Sequence, residues 1–303
     1  MQIYSIYFKA MGGPAQIQIV AAQEAIARAQ AQLAIDEIQR IESKYSRYDP
    51  HSVVSRINAR ADGSVHALDQ ETSALLSYAK SLHKKSHGLF DITSGILRRA
   101  WDFENAMIPS EERLAPLRAK VSMDRLELTG AELRLNGGEI DLGGIGKEYA
   151  VDRASQSLQK AGVAHALVNL AGDIHVLGHK PDHTPWTIGI AHPRDASRLL
   201  AEIPLHQGGL ATSGDYERFI ERSGRRYCHI LNPRTGWSVD FWQSVSVAAP
   251  TTLLAGSLAT IIMLQEGQGL QTLRESGLSF LAVNRDGEVF SDSAAASLGT
   301  ETT

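Results

Sequence analysis

The sequence predicts a mixed α+β fold in which short strands and amphipathic helices alternate along one chain. Residues 2–8 and 16–20 alternate between apolar and polar positions, and the Met11–Pro14 segment between them favours a hairpin turn. From Gln23 to Tyr45 the apolar positions instead recur every three or four residues, as in an amphipathic helix. Because signals of both kinds continue along the chain, one mixed α+β unit is expected.

The first predicted helix has apolar residues on two sides. Two sets of positions at helical spacing share a face: Ile26, Ala29 and Leu33 in the first, and Ala34, Ile38, Ile41 and Tyr45 in the second. Residues three and four apart lie on the same side of a helix, so each set is expected to pack against the rest of the protein.

After this helix the sequence predicts a polar loop, a second helix and a group of short strands. The loop is Ser46–Pro50. Asp69 can cap the second helix and Gly88 can end it. The apolar face of that helix consists of Leu75, Tyr78 and Leu82. Residues 124–142 are predicted as short strands with a turn at Asn136–Gly138.

The C-terminal half predicts five further strands, two helices and a last hairpin. The strands are expected at His165–Val168, Trp186–Ala191, Leu200–Leu205, Tyr227–Leu231 and Ser244–Ala248. The helices are expected at Thr252–Gln265 and Gly269–Ser276, and the hairpin turn at Arg285–Gly287. No linker or repeat divides the chain, so residues 1–290 are predicted to be a single domain and residues 291–303 a flexible tail.

Composition excludes several classes of function. The chain has 303 residues, of which 43% are hydrophobic and 21% charged, as in ordinary globular proteins. A net charge of −4 gives no reason to expect nucleic acid as a partner. Cys228 is the single cysteine, which excludes an internal disulfide and a cysteine-based metal site. No apolar run approaches the roughly 18 residues of a transmembrane segment.

The N-terminal sequence M-Q-I-Y-S-I-Y-F-K-A bears on the compartment. It lacks the charged region and the apolar core of a signal peptide. The protein is therefore expected in the cytoplasm, or in the periplasm if an export signal has been removed.

The stretch Asp141–Asp152, D-L-G-G-I-G-K-E-Y-A-V-D, combines the parts of a phosphate site. Gly143, Gly144 and Gly146 permit positive φ and close approach of a ligand. The helix-compatible run after them would offer unpaired N–H groups and a positive dipole end, and Lys147 adds a cation. The alternative is a plain turn between a strand and a helix, with Lys147 in solvent. The stretch matches neither G-x-x-x-x-G-K-[ST] nor G-x-G-x-x-G, so both interpretations stay open.

A second stretch, Ala211–Gly236, places polar side chains at predicted strand ends and turns. Thr212, Ser213 and Asp215 could be catalytic, or they could only cap a helix that follows them. His229 stands among apolar neighbours, where a histidine is more often a satisfied core residue. The catalytic alternative requires His229 to lie beside a phosphate-bound ligand, where it could take a proton from an attacking hydroxyl.

Seven motifs occur in one order from about residue 4 to residue 290. They are A-M-G-G, S-R-Y-D-P-x-S, F-D-I-T-S-G, D-L-G-G-I-G-K-E-Y-A-V-D, V-N-L-A-G-D, A-T-S-G-D-Y and Y-C-H-I-L-N-P-R-T-G. Each is weak alone, but together the chain resembles the FAD:protein FMN transferases of the ApbE family. The resemblance implies a two-lobed, T-fold-like α+β unit with a flavin cleft between the lobes. It also implies transfer of FMN from FAD to a threonine or serine of an acceptor flavoprotein, with Mg²⁺ and release of AMP.

The resemblance also implies roles for individual residues. The expected flavin contacts are Met11 and Tyr48, and the expected cleft wall contains Asp91 and Thr93. The residues expected to hold the pyrophosphate are Gly143, Gly144, Gly146 and Lys147. Asp152 is expected to bind the adenosine, and Asn169 and Asp173 are expected to shape the neighbouring turn. The expected catalytic residues are His229, as base or orienter for the acceptor hydroxyl, with Thr212 and Asp215. Replacement of Gly144 by valine is predicted to block FAD binding and leave the fold intact.

The implied metal site departs from the pattern of the family. Its expected ligands are the backbone carbonyl of Gly146 and the hydroxyl of Thr260. The family motif A-D-x-x-A-T reads A-G-S-L-A-T here, so Gly256 stands where an aspartate normally binds the metal. Mg²⁺ is usually held by one or two carboxylates, so weakened Mg²⁺ binding is expected. Replacement of Gly256 by aspartate is predicted to strengthen metal binding and transfer.

Three smaller departures accompany this one. Glu148 follows the lysine where glycine is usual, and would bring negative charge to the phosphates unless it points away. Ala171 stands at a glycine position of N-x-G-G-D, and Gly13 stands where threonine is usual. Three functions therefore stay open: an FMN transferase, a flavin-binding protein that performs no transfer, and a metal-dependent FAD pyrophosphatase.

Overall fold

The computed structural model describes residues 1–292 and shows the mixed α+β fold that the sequence predicts. The strands are β1 (Gln2–Ala10), β2 (Gly13–Ala21), β3 (Asp62–Ala67), β4 (Leu126–Thr129), β5 (Glu132–Asn136), β6 (Ala166–Leu170), β7 (Asp173–Leu177), β8 (Trp186–His192), β9 (Asp195–Leu205), β10 (Gly208–Gly214), β11 (Phe219–Arg222), β12 (Arg225–Cys228), β13 (Trp242–Ala249), β14 (Ser279–Asn284) and β15 (Val289–Ser291). The α-helices are α1 (Glu24–Tyr45), α2 (Val53–Ala59), α3 (Gln70–Lys85), α4 (Glu111–Arg118), α5 (Gly146–Lys160), α6 (Thr252–Gln265) and α7 (Gly269–Ser276).

A central sheet of eight antiparallel strands has the order β1-β2-β6-β7-β10-β13-β14-β15. Helices α1, α5 and α6 pack side by side on this sheet, with α1 against β1 and β2, α5 against β6 and β7, and α6 against β10 and β13. Three fully buried alanines of α1, at positions 27, 31 and 34, recur at helical spacing and allow close packing. The separate hairpin β8–β9 packs on the central sheet, where its Trp186, Ile188 and Ile190 join a hydrophobic cluster with Val176 of β7 and Leu210 of β10.

A smaller sheet, β3-β5-β4, forms a second lobe with α2 and α3. Its buried residues, such as Leu133, belong to the same hydrophobic cluster as Leu76 of α3 and Ile38 of α1. The two lobes that the fold class implies are therefore joined through one continuous core. A shared core is compatible with a single domain over residues 1–290, which stays a prediction.

One end of the central sheet collects most of the predicted site residues. Strand β7 begins at Asp173 beside the end of β10 at Gly214, because these two strands are antiparallel. The turns at Met11–Gly12 and Ala171–Gly172 lie at the same end, since Ala15 of β2 pairs with the last residue of β6. The antiparallel order thus brings together motifs that are up to 200 residues apart in the sequence.

Several local predictions are wrong. The helix α1 buries the face of Ala34, Ile38, Ile41 and Tyr45, but Ile26 and Leu33 are 45% and 47% exposed because they lie beside the packed face. The sequence did not predict the hairpin turn at Gly130-Ala131 between β4 and β5, whereas the predicted turn at Asn136–Gly138 is present as a bend after β5 ends. The sequence did not predict α2, a short helix that Ser52 caps by accepting a hydrogen bond from the Ser55 N–H.

Two predictions near the site are also wrong. Thr212 and Ser213 do not cap a helix, because β10 continues through them to Gly214. His229 lies outside a strand, since β12 ends at Cys228. At the C-terminus, Ser291 pairs in β15, and the rest of the predicted tail from residue 293 lies outside the described residues. No helix within residues 1–292 has the length and apolar character that crossing a membrane requires.

Candidate active site

The site lies where the turns at one end of the sheet meet the beginning of helix α5. The Ala171 N–H donates to the Pro14 carbonyl at 2.9 Å, and Lys147 Nζ donates to the Ala171 carbonyl at 3.3 Å. A Cβ atom on Gly12 would lie 3.7 Å from Arg218 Nη2, so this guanidinium reaches the first hairpin turn. The predicted phosphate stretch and the N-terminal motif are therefore neighbours.

Close packing explains the central glycine of the phosphate stretch. A Cβ atom on Gly144 would lie 3.0 Å from the Phe90 ring and 3.5 Å from the Thr260 methyl group. The expected positive φ is wrong, because Gly143, Gly144 and Gly146 all keep φ outside that region. Replacement of Gly144 by valine would press on Phe90, which is 4% exposed. This contact is expected to lower the stability of the variant, and the prediction that it keeps an intact fold stays a prediction.

Helix α5 presents its N-terminal end and a lysine together. It begins at Gly146, and Ile145 before it has no polar side chain to cap the free amides. Lys147 Nζ lies 2.9 Å from Asp173 Oδ2. Burial acts to lower the pKa of Lys147, but the carboxylates of Asp173 and Glu148 outweigh it and raise the pKa overall. A charged lysine beside a helix N-terminus is suited to bind a phosphate group.

Two arginines that the sequence analysis missed border the same stretch. Asp141 Oδ2 accepts a hydrogen bond from Arg47 Nη1 at 2.7 Å and lies 3.1 Å from Arg98 Nε. Asp141 Oδ1 accepts from the Gly143 N–H at 2.9 Å. Burial opposes ionisation of Asp141, yet Arg98 and Arg47 hold the pKa of this carboxyl below its ordinary value. The available signal was position, because Arg47 lies inside S-R-Y-D-P and Arg98 closely follows F-D-I-T-S-G.

His229 is a half-buried base near these cations. Its backbone N–H donates to the Arg218 carbonyl at 2.9 Å, but its Nδ1 is buried with no hydrogen-bond partner among residues 1–292. Burial, together with the positive charges of Arg98 and Arg218, lowers the pKa of His229 to about 4. The imidazole is therefore neutral at neutral pH. Its unpartnered nitrogen does not fit the alternative of a satisfied core histidine.

The other two catalytic candidates have hydrogen-bond partners in the structure. The Thr212 hydroxyl lies 2.8 Å from a serine hydroxyl on β13. Asp215 accepts two hydrogen bonds from Arg194, at 2.6 and 2.7 Å, in a bidentate ion pair. Between them, the Ser213 hydroxyl lies 3.1 Å from that of Thr260. Catalytic roles for Thr212 and Asp215 stay predictions. The contact that the structure shows for Asp215 is its ion pair with Arg194.

Asp91 and Thr93 form a buried turn beside the phosphate stretch. Asp91 Oδ1 accepts from the Thr93 N–H at 2.8 Å and from its hydroxyl at 2.6 Å. The Thr93 oxygen in turn accepts from the Ser122 N–H at 3.0 Å. The Ile92 carbonyl accepts from the Asp141 N–H at 2.8 Å, which ties this turn to the phosphate stretch. Contact of Asp91 or Thr93 with a flavin nucleotide stays a prediction.

Asp152 holds the beginning of helix α6. Its Oδ1 accepts from the Thr252 N–H at 2.8 Å, and its Oδ2 accepts from the Leu253 N–H at 2.9 Å. His175 Nδ1 also lies 2.9 Å from Oδ1. Both carboxylate oxygens are thus engaged by the protein, so the structure shows a capping role, and adenosine binding stays a prediction.

Met11, Tyr48 and Asn169 lie toward the rim of the site. The Met11 N–H donates to Glu42 Oε1 at 2.8 Å, and Met11 itself is half-buried in the first hairpin turn. Tyr48 is 74% exposed, so its ring is accessible to a planar ligand. Asn169 Oδ1 accepts from the Gly172 N–H at 2.9 Å and thereby shapes the turn before β7. The structural role of Asn169 matches its expected position, whereas the flavin contacts stay predictions.

Two buried acids lie close to Lys147: Glu148 on α5 and Asp173 at the beginning of β7. Glu148 is 6% exposed and turns toward α6, where a Cβ atom on Gly256 would lie 2.5 Å from its Cγ. Burial and the nearby charge of Asp173 raise the pKa of Glu148 to about 8. Burial likewise raises the pKa of Asp173, which is 2% exposed, although Lys147 opposes this shift. Both acids would be stabilised in ionised form by additional positive charge.

The donors at this position fit a hard divalent cation. Glu148 Oε2 is buried and has no hydrogen-bond partner within residues 1–292. Thr260, one turn beyond Gly256 on α6, adds a hydroxyl oxygen on the same helix face. The described residues contain no group of three or more His, Cys, Asp or Glu that could hold a metal alone. Mg²⁺ commonly uses one or two carboxylates with substrate phosphates, so the oxygen donors present suit that ion.

Comparisons with known proteins agree with this geometry. The model of the ApbE family matches residues 11–282. A Klebsiella pneumoniae protein named FAD:protein FMN transferase is 30% identical over 94% of this chain and 91% of its own length. A Vibrio cholerae protein of the same name is 29% identical over 88% of this chain and 83% of its own.

Solved structures agree with the fold over nearly the full chain. The crystal structure of the ApbE protein from Thermotoga maritima superposes with a TM-score of 0.91 at 30% identity, covering 99% of this chain and 100% of that one. The apo flavinyl transferase ApbE from Pseudomonas stutzeri gives a TM-score of 0.87 at 27% identity, covering 100% and 98%. The family match extends across both lobes and every element of the site, and the chain belongs to the ApbE family.

Proposed function

We propose that this protein transfers FMN from FAD to a threonine or serine hydroxyl of an acceptor flavoprotein. The observation that carries the proposal is the unpartnered Nδ1 of His229, a neutral imidazole whose pKa is lowered by burial and by the cations that border the phosphate stretch. Relatives named FAD:protein FMN transferases, at about 30% identity across most of the chain, support this assignment. The acceptor is expected to approach this end of the sheet.

The reaction requires one bond to form and one to break. The acceptor hydroxyl oxygen attacks the phosphorus of the FMN half of FAD and forms a new phosphoester bond. The bond from this phosphorus to the bridging oxygen breaks, and AMP leaves with that oxygen. His229 Nδ1 accepts the hydroxyl proton, because this buried nitrogen is neutral and has no partner among residues 1–292.

The cations of the site would bind the pyrophosphate and neutralise its charge. Phosphoryl transfer depends mainly on positioning and charge stabilisation, which Lys147 and the amides of α5 can supply. Arg98 and Arg218 lower the pKa of His229 when no anion is present. A bound diphosphate would offset these positive charges, so the imidazole would become a stronger base when FAD is present.

Mg²⁺ is part of the proposal. When bound, it would neutralise charge on the phosphates during transfer. The residues proposed to hold it are Glu148 and Thr260, together with the carbonyl of Gly146. The oxygen donors described above support this assignment, because Mg²⁺ prefers carboxylate, hydroxyl and phosphate oxygens.

The proposal is tested by incubating the protein with FAD, Mg²⁺ and an acceptor flavoprotein domain that carries a target threonine. Transfer is expected to give a flavin-fluorescent acceptor band in a denaturing gel and one AMP per labelled acceptor. The matched control is the same acceptor with alanine at the target threonine, which should stay dark. AMP release without labelling would instead indicate an FAD pyrophosphatase. Flavin binding with neither product would indicate a binding protein, and both outcomes would contradict the proposal.

A further inference from the structure

The Glu148 side chain occupies the space directly beside Gly256. A Cβ atom on Gly256 would lie 2.5 Å from Glu148 Cγ, 2.9 Å from its Oε1 and 3.0 Å from its Cδ. Contacts under 3 Å are far inside van der Waals distance, so the glutamate side chain fills the volume into which a side chain at position 256 would extend. The carboxyl group of Glu148 therefore lies against helix α6 at the position of Gly256.

This carboxyl group lacks the partners that burial normally requires. Glu148 is 6% exposed, and its Oε2 has no hydrogen-bond partner within residues 1–292. The nearby cation, Lys147, makes its ion pair with Asp173 at 2.9 Å. Buried carboxylates are normally paired or bound to a metal, so the unpartnered oxygen points to a missing positive group.

We propose that Glu148 is the carboxylate ligand of a divalent cation, and that it takes over from α5 the role that a side chain at position 256 of α6 would have. This inference rests on the proposed function, because the cation would act on the phosphates of FAD. It also revises the expectation of weak Mg²⁺ binding, since the carboxylate has moved to another helix instead of being lost.

The neighbouring donors complete an oxygen site. Thr260 shares the face of Gly256 on α6, and its methyl group faces the phosphate stretch at Gly144. Asp173 is buried nearby, and its Oδ2 lies 2.9 Å from Nζ of Lys147, the residue before Glu148. Two carboxylates, a hydroxyl and the phosphates of a bound nucleotide are the kind of ligand set that Mg²⁺ and Mn²⁺ use.

The exchange also accounts for both departures at once. Glycine at position 256 leaves room for the glutamate, and the glutamate returns a carboxylate to the space that glycine vacates. Either residue alone would be unfavourable, because glycine alone would leave a gap without a ligand and Glu148 alone would collide with a larger residue.

The test is a titration of Mn²⁺ into the full protein, followed by electron paramagnetic resonance of the free ion. It is made with and without ADP, a diphosphate that cannot donate FMN. Glu148→Gln keeps the volume and removes the charge, and it is expected to weaken Mn²⁺ binding by roughly 10- to 100-fold or more. Glu217→Gln is the matched control, because this exposed carboxylate also acts on Lys147 and Asp173 through its charge. It is expected to change Mn²⁺ affinity less than about threefold, in line with weak exposed charge interactions.

A double variant tests the exchange itself. Glu148→Gly combined with Gly256→Asp returns the carboxylate to α6 and is expected to restore Mn²⁺ affinity to within about tenfold of the wild type, a margin that covers the geometric mismatch typical of metal-site changes. Unchanged Mn²⁺ binding in Glu148→Gln, with melting temperatures showing that each protein is folded, overturns the proposal. Loss of binding in Glu217→Gln to the same extent would also overturn it, because the effect would then be general charge and not ligation.

Failure of this inference and failure of the proposed function give different results. A wild type that labels its acceptor while Glu148→Gln binds Mn²⁺ normally keeps the transferase and removes Glu148 as a ligand. A wild type that binds Mn²⁺ through Glu148 but labels no acceptor keeps the cation site and removes the transferase.

Discussion

Two contacts in the active-site region pair the four departures from the family pattern. Glu148 lies against Gly256, between helices α5 and α6. Ala171 lies against Gly13, between two hairpin turns, where a Cβ atom on Gly13 would be 2.8 Å from that of Ala171. In each pair one residue is larger than the residue usual in the family at that position, and its neighbour is smaller. The larger side chain therefore lies in the space beside the smaller residue.

The two pairs differ in the chemical group that changes position. The Ala171–Gly13 pair replaces a threonine side chain in one turn by a methyl group in the other, and no ionisable group is involved. The Glu148–Gly256 pair moves a carboxylate whose buried oxygen has no partner among the described residues. A substitution therefore cannot be judged alone, because the neighbour decides whether a missing group is lost or relocated.

The largest effect is expected outside both pairs, at His229. His229→Ala should lower the rate of FMN transfer by roughly 10²- to 10⁴-fold, the usual range for loss of a general base. Single-turnover labelling of the acceptor measures this rate, and FAD affinity measured separately should stay nearly constant. A loss of transfer that merely follows a loss of folded protein would contradict the role of a base. The loss of transfer rate in His229→Ala is the reference with which the effects of changes in both pairs can be compared.

Gly256→Asp alone is expected to be the most damaging single change within the pairs. Its Cβ would collide with Glu148, and overpacking typically costs about 1–3 kcal/mol. A second buried carboxylate beside Glu148 adds a charge penalty. The melting temperature should therefore fall, which reverses the gain of function that the sequence alone predicts. Thermal unfolding with and without Mn²⁺ measures the effect, and a single variant that is more stable and binds Mn²⁺ better than wild type would refute the exchange.

Burial and the neighbouring cations of His229 also predict a pH dependence of stability. Its pKa of about 4 lies below the ordinary value of 6.5, so between these values the unfolded chain binds more protons than the folded one. The part of the stability that depends on His229 should therefore be full above pH 6.5 and fall as the pH drops toward 4, whereas Glu148, whose pKa is raised to about 8, acts in the opposite direction. His229→Gln cannot titrate and should show a smaller loss over this interval, measured as the free energy of unfolding in urea. Equal slopes in the two proteins would mean that another group controls the loss.

The arrangement of elements could be predicted well from the sequence, because periodicity reports which residues face the core. Helix α1 and the hairpin β1–β2 follow directly from 3.6- and 2-residue patterns, and α6 spans the predicted Thr252–Gln265. Helix α2 was missed since seven residues hold too few periods to show a pattern. The extent of β12 was wrong at His229 because apolar neighbours predict burial and do not show where strand pairing ends.

The site could be predicted in its motifs but not in its contacts. The order of motifs indicates Lys147 and His229, and the structure places both in the charged end of the sheet. Arg47 and Arg98 were missed because an arginine near a motif is indistinguishable in sequence from a solvated one. The relation of Glu148 to Gly256 was out of reach, since the two residues are 108 positions apart and only packing of α5 on α6 joins them.

The smallest effect is expected in the Ala171–Gly13 pair. Ala171 has a φ of 50°, a left-handed conformation that costs about 1–2 kcal/mol for a residue with a Cβ. Ala171→Gly removes this strain but loosens the unfolded chain by about 0.4–1 kcal/mol, so its net effect should stay within about 1 kcal/mol. Gly13→Ala alone should destabilise by about 1–3 kcal/mol through the 2.8 Å contact, and the double variant should recover most of that loss. A double-mutant cycle of urea unfolding should therefore show a coupling above about 0.5 kcal/mol, whereas additive values would mean that the two turns adjust independently.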